Sequence, residues 1–439
     1  MPNLDMSLNY RLRFDKKGEE LTADAFYSYL NHDETSYFTQ YFEQPYQPNY
    51  YQLTDNGHKN NTYTFQTDYV YPFDDSTKIE TGLKATLQTM NSQSGYYTKS
   101  DSISYWINDP TKSNDFIYDE DIYAAYAIFL SHFDNFLYSF GLRIEQTVTK
   151  GNQVTINQVD REHYLDFFPS ATIGYKLNPL QQIQISYSRR IERPHIWHLN
   201  PFVEYIDYYN VMYGNPNLKP QYVDMLELGL IQNFSKFTIT PSIFYNRTTD
   251  DYDRITVLMP NGIIGTTWDN ISTRYSYGFE FNLSGETFKW MKLSLNGSYY
   301  KYIVEGNKNY SGQTQSDYSW NARLNATIMP MKPLSFQVTG FYRAPTLTVQ
   351  GKRFGFYSID IGARYDVLNN LSILFRAGDI FHTMVFHNTS SGVDFFFENN
   401  MNRLSQAFSV GLQYKINEGI KQREKPINNE GGGEDDSLF

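Results

Sequence analysis

Residues 274–283 read Arg274-Tyr275-Ser276-Tyr277-Gly278-Phe279-Glu280-Phe281-Asn282-Leu283. Tyr275, Tyr277, Phe279, Phe281 and Leu283 take every second place, and polar or small residues take the others. Successive side chains of a strand point to opposite faces, so this run has one apolar and one polar face. The same period governs Trp320, Ala322, Leu324, Ala326 and Ile328. It returns in Tyr357, Ile359, Ile361, Ala363 and Tyr365, and in Phe408, Val410, Leu412, Tyr414 and Ile416. No segment sustains the 3.6-residue period of an amphipathic helix. An all-β chain is predicted.

Composition narrows the class. The 439 residues carry 37 Lys and Arg against 48 Asp and Glu, a net charge of −11, which argues against a nucleic-acid binder. Aromatics reach 17%, too many for a disordered chain. No stretch approaches the ~18 to 20 apolar residues of a spanning helix. Cysteine is absent, which removes disulfides, thiolate nucleophiles and Cys-type metal sites together. Met1-Pro2-Asn3-Leu4-Asp5 has neither the basic start nor the apolar core of a secretory signal. For a protein working outside the cytoplasm, that start would be a mature or truncated one. Length alone suggests two or three soluble domains, unless the chain is one large barrel.

Two architectures give strand alternation. A soluble sandwich or propeller buries the apolar face, whereas a transmembrane barrel turns it to lipid and the polar face to a wet lumen. Three features favour the barrel. The polar faces carry full charges, including Arg143, Glu145, Arg190, Glu280 and Arg323. Aromatics gather near strand ends, as in Tyr299-Tyr300 and Phe167-Phe168. Connections alternate between tight turns (15–20, 74–77, 132–135, 178–181, 233–236, 285–289, 330–333, 368–370) and longer polar loops (near 41–60, 91–117, 148–162, 194–219, 249–268, 305–316, 387–401). Short periplasmic turns and long outside loops are the mark of outer-membrane barrels. The loop around 351–355 is short for its side.

The count gives about 17 strands over residues 1–416, where single-chain bacterial barrels have an even number. The first, Leu4–Phe14, and the last, Arg403–Ile416, both run toward the short-turn side. The chain would then begin on the outer side, and N-terminal strands would be missing, unless the count is off by one.

Few residues suggest chemistry. Of the eight histidines, His195 and His198 are three apart but beside Pro194, with no helix expected to join them, and His382 and His387 have odd spacing. Solvated loop or girdle histidines are the simpler reading than a metal site. Asp250, Asp251 and Asp253 read as an acidic outside loop, since they lack the spaced ligands and central Gly of a dedicated calcium site. No Gly-Xaa-Ser-Xaa-Gly element or phosphate loop is present. Neither a catalytic residue, a metal site nor a cofactor is assigned.

The segment 186–230 differs in kind. It holds Ser186-Tyr187-Ser188-Arg189-Arg190-Ile191-Glu192-Arg193-Pro194, Leu199-Asn200-Pro201-Phe202, Gly214-Asn215-Pro216-Asn217-Leu218-Lys219-Pro220 and Glu227-Leu228-Gly229. With Gly141-Leu142-Arg143-Ile144-Glu145 and Phe168-Pro169-Ser170, this set resembles the barrel of TonB-dependent receptors, in the outer-membrane β-barrel family. The resemblance runs from near residue 4 to 416. The family usually has Glu after the last Pro of this set, where this chain has Gln221. Read physically, Pro194, Pro201, Pro216 and Pro220 stop the ladder, and Gly214-Asn215 permits a tight turn. The motif residues Arg189, Arg190, Asn200, Pro201, Gly214, Asn215, Pro216, Leu218 and Pro220 are expected to shape a stiff outside loop rather than touch ligand.

The last strand, Ser409-Val410-Gly411-Leu412-Gln413-Tyr414-Lys415-Ile416, is similar to the signal read by the barrel-assembly machinery, with Gly411, Tyr414 and Ile416 at its key places. Residues 417–439 are polar, acidic and Gly-rich, and read as a flexible periplasmic tail.

The resemblance implies a transmembrane antiparallel barrel, an incomplete part of one with about 22 strands, in the outer membrane. It implies an energised importer of a scarce nutrient, with outer-membrane lipid, a plug domain and TonB as partners through a missing N-terminal portion. Without a plug, a passive porin-like channel is the alternative, as is an outer-membrane enzyme or adhesin acting through its loops. Siderophore, vitamin, glycan and peptide all stay open as ligands.

Overall fold

The computed structural model describes residues 3–43, 47–100, 104–259, 262–305 and 314–416. Among them are 24 strands and one helical turn, Ile196–Leu199. Four strands form a small sheet of their own, and three others are two or three residues long. The remaining seventeen run from 8 to 26 residues. The all-β expectation holds. The expected tail, 417–439, lies outside the described residues.

The chain divides into two compact units. One takes in residues up to Ala171, with Ser188–Tyr222 and Asp250–Ile271; the other takes Thr172–Tyr187, Val223–Thr249 and residues from Ser272 onward.

In the first unit, Asn3–Arg13, Glu20–Phe42, Gln47–Pro72, Thr77–Lys99, Asn114–Phe133 and Phe136–Gln153 follow one another as antiparallel neighbours. Register brings the outward side chains into rows. Tyr10, Ala23, Thr67, Leu83, Ala125 and Ile144 lie directly opposite one another from strand to strand. The turns are short because local side chains satisfy them. Asp74 Oδ1 accepts the Ser76 and Thr77 amides at 2.7 and 2.8 Å, and Asp134 takes the left-handed φ of 52° that a two-residue hairpin needs.

The second unit repeats the plan. Residues 274–288 pair with Met291–Val304, followed by Gln315–Met331, Leu334–Arg343, Phe356–Leu368, Leu371–Gly378 and Ala407–Tyr414. Leu293, Ala326, Val338, Ile361, Ala377 and Phe408 make an unbroken apolar row across six strands. Nearer one end, Phe279 lies opposite Tyr299, Tyr299 opposite Trp320, and Tyr342 opposite Tyr357. Trp320 stacks on Tyr342 with ring centroids 4.1 Å apart. The other face carries Glu280, Ser298, Asn321 and Arg343 in register. Thr346–Thr348, Gly351–Arg353, Val385–Ser391 and Phe396–Asn402 form the separate antiparallel sheet.

Several sequence expectations need correction. Much of what reads as long polar loop is strand. Glu20–Phe42 and Gln47–Pro72 stay paired from Glu20↔Val70 to Phe42↔Gln47, so 47–60 is ladder. Thr77–Lys99, Phe136–Gln153 and Phe237–Leu258 likewise run far into their expected loops. A ladder leaving lipid keeps its hydrogen bonds but no longer needs an apolar face, so alternation vanishes while the strand continues. The expected loop 387–401 is largely a hairpin of the separate sheet.

Asp250, Asp251 and Asp253 lie in the strand Phe237–Leu258, and Asp251 and Asp253 are buried. The expected turn 285–289 narrows to Lys289 and Trp290, with Gly285 inside the strand. There its φ is +139°, and a Cβ would collide with the Lys236 and Phe237 backbone. Of each adjacent aromatic pair only one ring faces outward: Tyr299 and Phe167 are exposed, while Tyr300 and Phe168 are half-buried on the other face. The first strand stops at Arg13, since the Phe14 amide turns to Glu19 O at 3.2 Å. The last spans Ala407–Tyr414, so Gly411 and Tyr414 are in the ladder and Ile416 lies beyond it.

Candidate binding site

Residues 193–220 of the first unit leave the ladder at Pro194 and fold back onto the strands Asn114–Phe133 and Phe136–Gln153. Arg193 is the anchor. Its Nη2 donates to Glu145 Oε2 at 2.7 Å and Thr147 Oγ1 at 2.9 Å, and its Nε donates to Tyr164 Oη at 3.2 Å. Arg143 Nε reaches the other oxygen of Glu145 at 2.6 Å. Glu145 retains 9% side-chain exposure and Arg193 16%. Charges so enclosed are held by their hydrogen bonds to one another.

Beyond Arg193, the helical turn Ile196–Leu199 puts Ile196 against Phe116 and Tyr118, with Met90 and Leu199 packed around them. This turn also corrects the histidine expectation. It does join His195 and His198, whose ring centroids are 6.3 Å apart. Trp197 sits between His58 at 4.4 Å and His195 at 5.5 Å, and His198 packs on Trp268 at 4.5 Å. Burial, and after it the charge of His195, lowers the pKa of His198 to about 4. Its Nδ1 is buried with no hydrogen-bond partner among the described residues. Burial raises the carboxyl of Glu204, and Glu34 adds to the effect.

The structure brings the two central motif elements together. Gly214 N donates to Asn200 O at 2.7 Å, and Asn215 N donates to His198 O at 2.6 Å. A Cβ on Gly214 would lie 2.6 Å from Asn200 N and 2.7 Å from His198 C. Only a glycine fits that approach. The Asn215 side chain closes an Asx turn on Asn217 N at 3.0 Å and donates to Trp268 O at 3.2 Å. Asn200 Oδ1 accepts from Phe202 N and from the buried Gln153. Pro201 follows Asn200 at the end of the helical turn. Leu218 is buried, and Asn270 clamps Lys219 through both N–H and C=O at 2.8 and 3.0 Å. Arg189 lies over the Tyr222 ring at 5.0 Å, and Arg190 is exposed. Both are strand residues rather than part of a loop.

Gln221 accounts for the motif departure. Its amide donates to Glu192 Oε2 at 2.5 Å, where a glutamate would set two carboxylates face to face. Glu145, Thr147, Tyr164 and Gln153 were not assigned to the site from sequence. A charged residue on a strand's polar face gives no sign of a partner 48 positions away.

Between this folded segment and the strands lies a cavity of about 460 Å³, reached by Pro194, Pro216, Leu218 and Pro220 from one side and by Tyr118 and Tyr164 from the other. Among the described residues no group of three or more His, Asp or Glu side chains is arranged to hold a metal ion.

The profile of the outer membrane protein beta-barrel family matches residues 12–414. No curated protein matches. Among solved structures, the copper transporter OprC is 15% identical with a TM-score of 0.65, over 94% of this chain and 65% of its own. The ferric-catecholate import receptor Fiu from Escherichia coli K12 is 13% identical with a TM-score of 0.67, over 94% and 64%. The ferric citrate transporter FecA, unliganded, is 12% identical with a TM-score of 0.58, over 94% and 60%. The chain thus spans less than two thirds of the length of these three structures. At these identities the likeness shows the fold.

Proposed function

This chain belongs to the outer membrane protein beta-barrel family, a transmembrane β-barrel family of the outer membrane, and from that premise we propose that it is the wall of a TonB-dependent import receptor. In this reading residues 193–220 belong to the side that captures a scarce nutrient. A plug domain and TonB are its partners, and the barrel-assembly machinery reads Gly411 and Tyr414 in the last strand and Ile416 just beyond it. The reading assigns no enzymatic step. The observation that carries it is the rigid anchoring of 193–220 by Arg193, Glu145 and Gly214, with a cavity beneath. A segment merely bounding an open channel has no need to be held so closely to the wall.

Similarity in fold to OprC, Fiu and FecA supports import over adhesion. The test is a chromosomal deletion grown under limitation for iron, for copper and for a glycan or peptide source in turn. Loss of growth on one of these, with uptake that saturates and stops when the proton gradient is dissipated, is the expected result. Uptake that is linear in concentration and indifferent to the gradient would make the chain a passive pore.

A further inference from the structure

The cavity beneath 193–220 has an apolar depth and an acidic mouth. Phe116 and Tyr118, at 2% and 6% exposure, line its floor, with Leu199 and Leu218 beside them. Its volume, about 460 Å³, falls within the ~300–1,000 Å³ of small-molecule sites. Glu120, Asp160, Glu162 and Asp250 also line it. Among the described residues Asp160, Glu162 and Asp250 enter no salt bridge. Two cations line the cavity, Arg193 and Lys219. Arg193 is already committed to Glu145 at 2.7 Å, which leaves Lys219 alone against the carboxylates.

Tyr118, Tyr164 and Tyr222 also line the cavity, and aromatic rings here already hold cations, Arg193 over Tyr164 at 5.9 Å and Arg189 over Tyr222 at 5.0 Å. Behind Tyr222, Asp166 takes the phenol hydroxyl at 2.9 Å on Oδ1, while its Oδ2 is buried without a hydrogen-bond partner among the described residues. An anionic ligand would enter against this field, and a purely apolar one would leave the mouth unmatched.

We propose that this cavity binds an organic cation: an ammonium or guanidinium group carried on a small apolar body. The apolar end lies against Tyr118 and Leu218, and the positive end stays at the mouth between Asp160, Glu162 and Asp250. This rests on reading the 193–220 side as the capture side, and it names the ligand chemistry for that side.

The experiment uses the full-length chain in outer-membrane vesicles, with folding verified by heat-modifiable gel mobility. Benzyltrimethylammonium, benzyl alcohol and benzenesulfonate are titrated by calorimetry. Saturable binding of the cation, at least about tenfold tighter than that of the other two, is expected. The triple variant Asp160→Asn, Glu162→Gln, Asp250→Asn should lose that preference while its weak binding of benzyl alcohol is kept. Lys219→Gln should tighten the cation. Folded protein that binds benzenesulfonate as well as the cation, or binds none of the three, overturns the proposal. Cation binding in a strain whose uptake phenotype is absent would leave this inference standing and remove the import reading.

Discussion

Arg193 Nη2 lies 2.7 Å from Glu145 Oε2, and through that contact a segment outside the ladder is tied to a strand 48 residues earlier. Both side chains are largely enclosed, so removing one strands the other's charge. Glu145→Gln should weaken the docking of 193–220 by about 3 kcal/mol, which is ~100-fold in the rate of protease nicking within it. Pairing it with Arg193→Met should recover part of the loss. Equal nicking in Glu145→Gln and the unaltered chain would show that the pair does not hold the segment.

Gly214→Ala should destabilise the same segment by about 1–3 kcal/mol, because the new methyl meets Asn200 N and His198 C. Gly297→Ala, whose Cβ would find its nearest neighbour 3.5 Å away at Asn321 O, should cost far less. Thermal melts followed by gel mobility and by nicking separate the two.

The pKa of His198, about 4 when folded, lies below the ~6.5 of the free side chain. The unfolded segment therefore takes up a proton more readily, and docking weakens as pH falls from about 6.5 to about 4, with no further change from this group outside that window. The loss should be on the order of 3 kcal/mol at most, since the imidazole is only half-buried. Nicking at pH 7.5 and pH 5 should differ in the unaltered chain and much less in His198→Gln. A flat profile in the unaltered chain would refute the assignment.

Val338 and Ile361 sit in the unbroken apolar row, whereas Phe279 belongs to the aromatic row nearer one end. Aromatic girdles mark the membrane interface, where a charge is cheap. Val338→Arg should destabilise by about 2–4 kcal/mol and Phe279→Arg by about 0–1 kcal/mol, in urea unfolding from lipid vesicles. The reverse order would place the midplane at the aromatic row.

The wall was legible because period 2 is a local property. Alternation from Tyr275 to Leu283 and from Tyr357 to Tyr365 needs no knowledge of partners. The outer reach of the strands was not legible, since residues 47–60 keep their ladder with no apolar face to show it. The motif segment was half legible. Pro194, Pro216 and Gly214 announced a stiff excursion, and the glycine does sit where nothing larger fits. What the excursion packs against was hidden, because Glu145, Gln153 and Trp268 come from distant strands. The pairing of His195 with His198 is hidden for a related reason: one helical turn after a proline is too short to leave a period.

The length of the ladders has a consequence for how the wall breathes. A 26-residue strand such as Gln47–Pro72 extends about 85 Å, while a tilted strand needs only about 9 to 11 residues to cross the hydrocarbon. One strand thus lies in two solvents. Within lipid an opened amide has no water to turn to, so that part can part company with its neighbour only by unfolding as a whole. Above the headgroups each opened amide is at once rehydrated, and the ladder can unzip from its tip. Deuterium should therefore enter the same strand on two clocks, fast and graded near Phe42 and Gln47, slow and all-or-none near Leu21 and Tyr69, with the change of regime marking the height of the membrane surface on the protein.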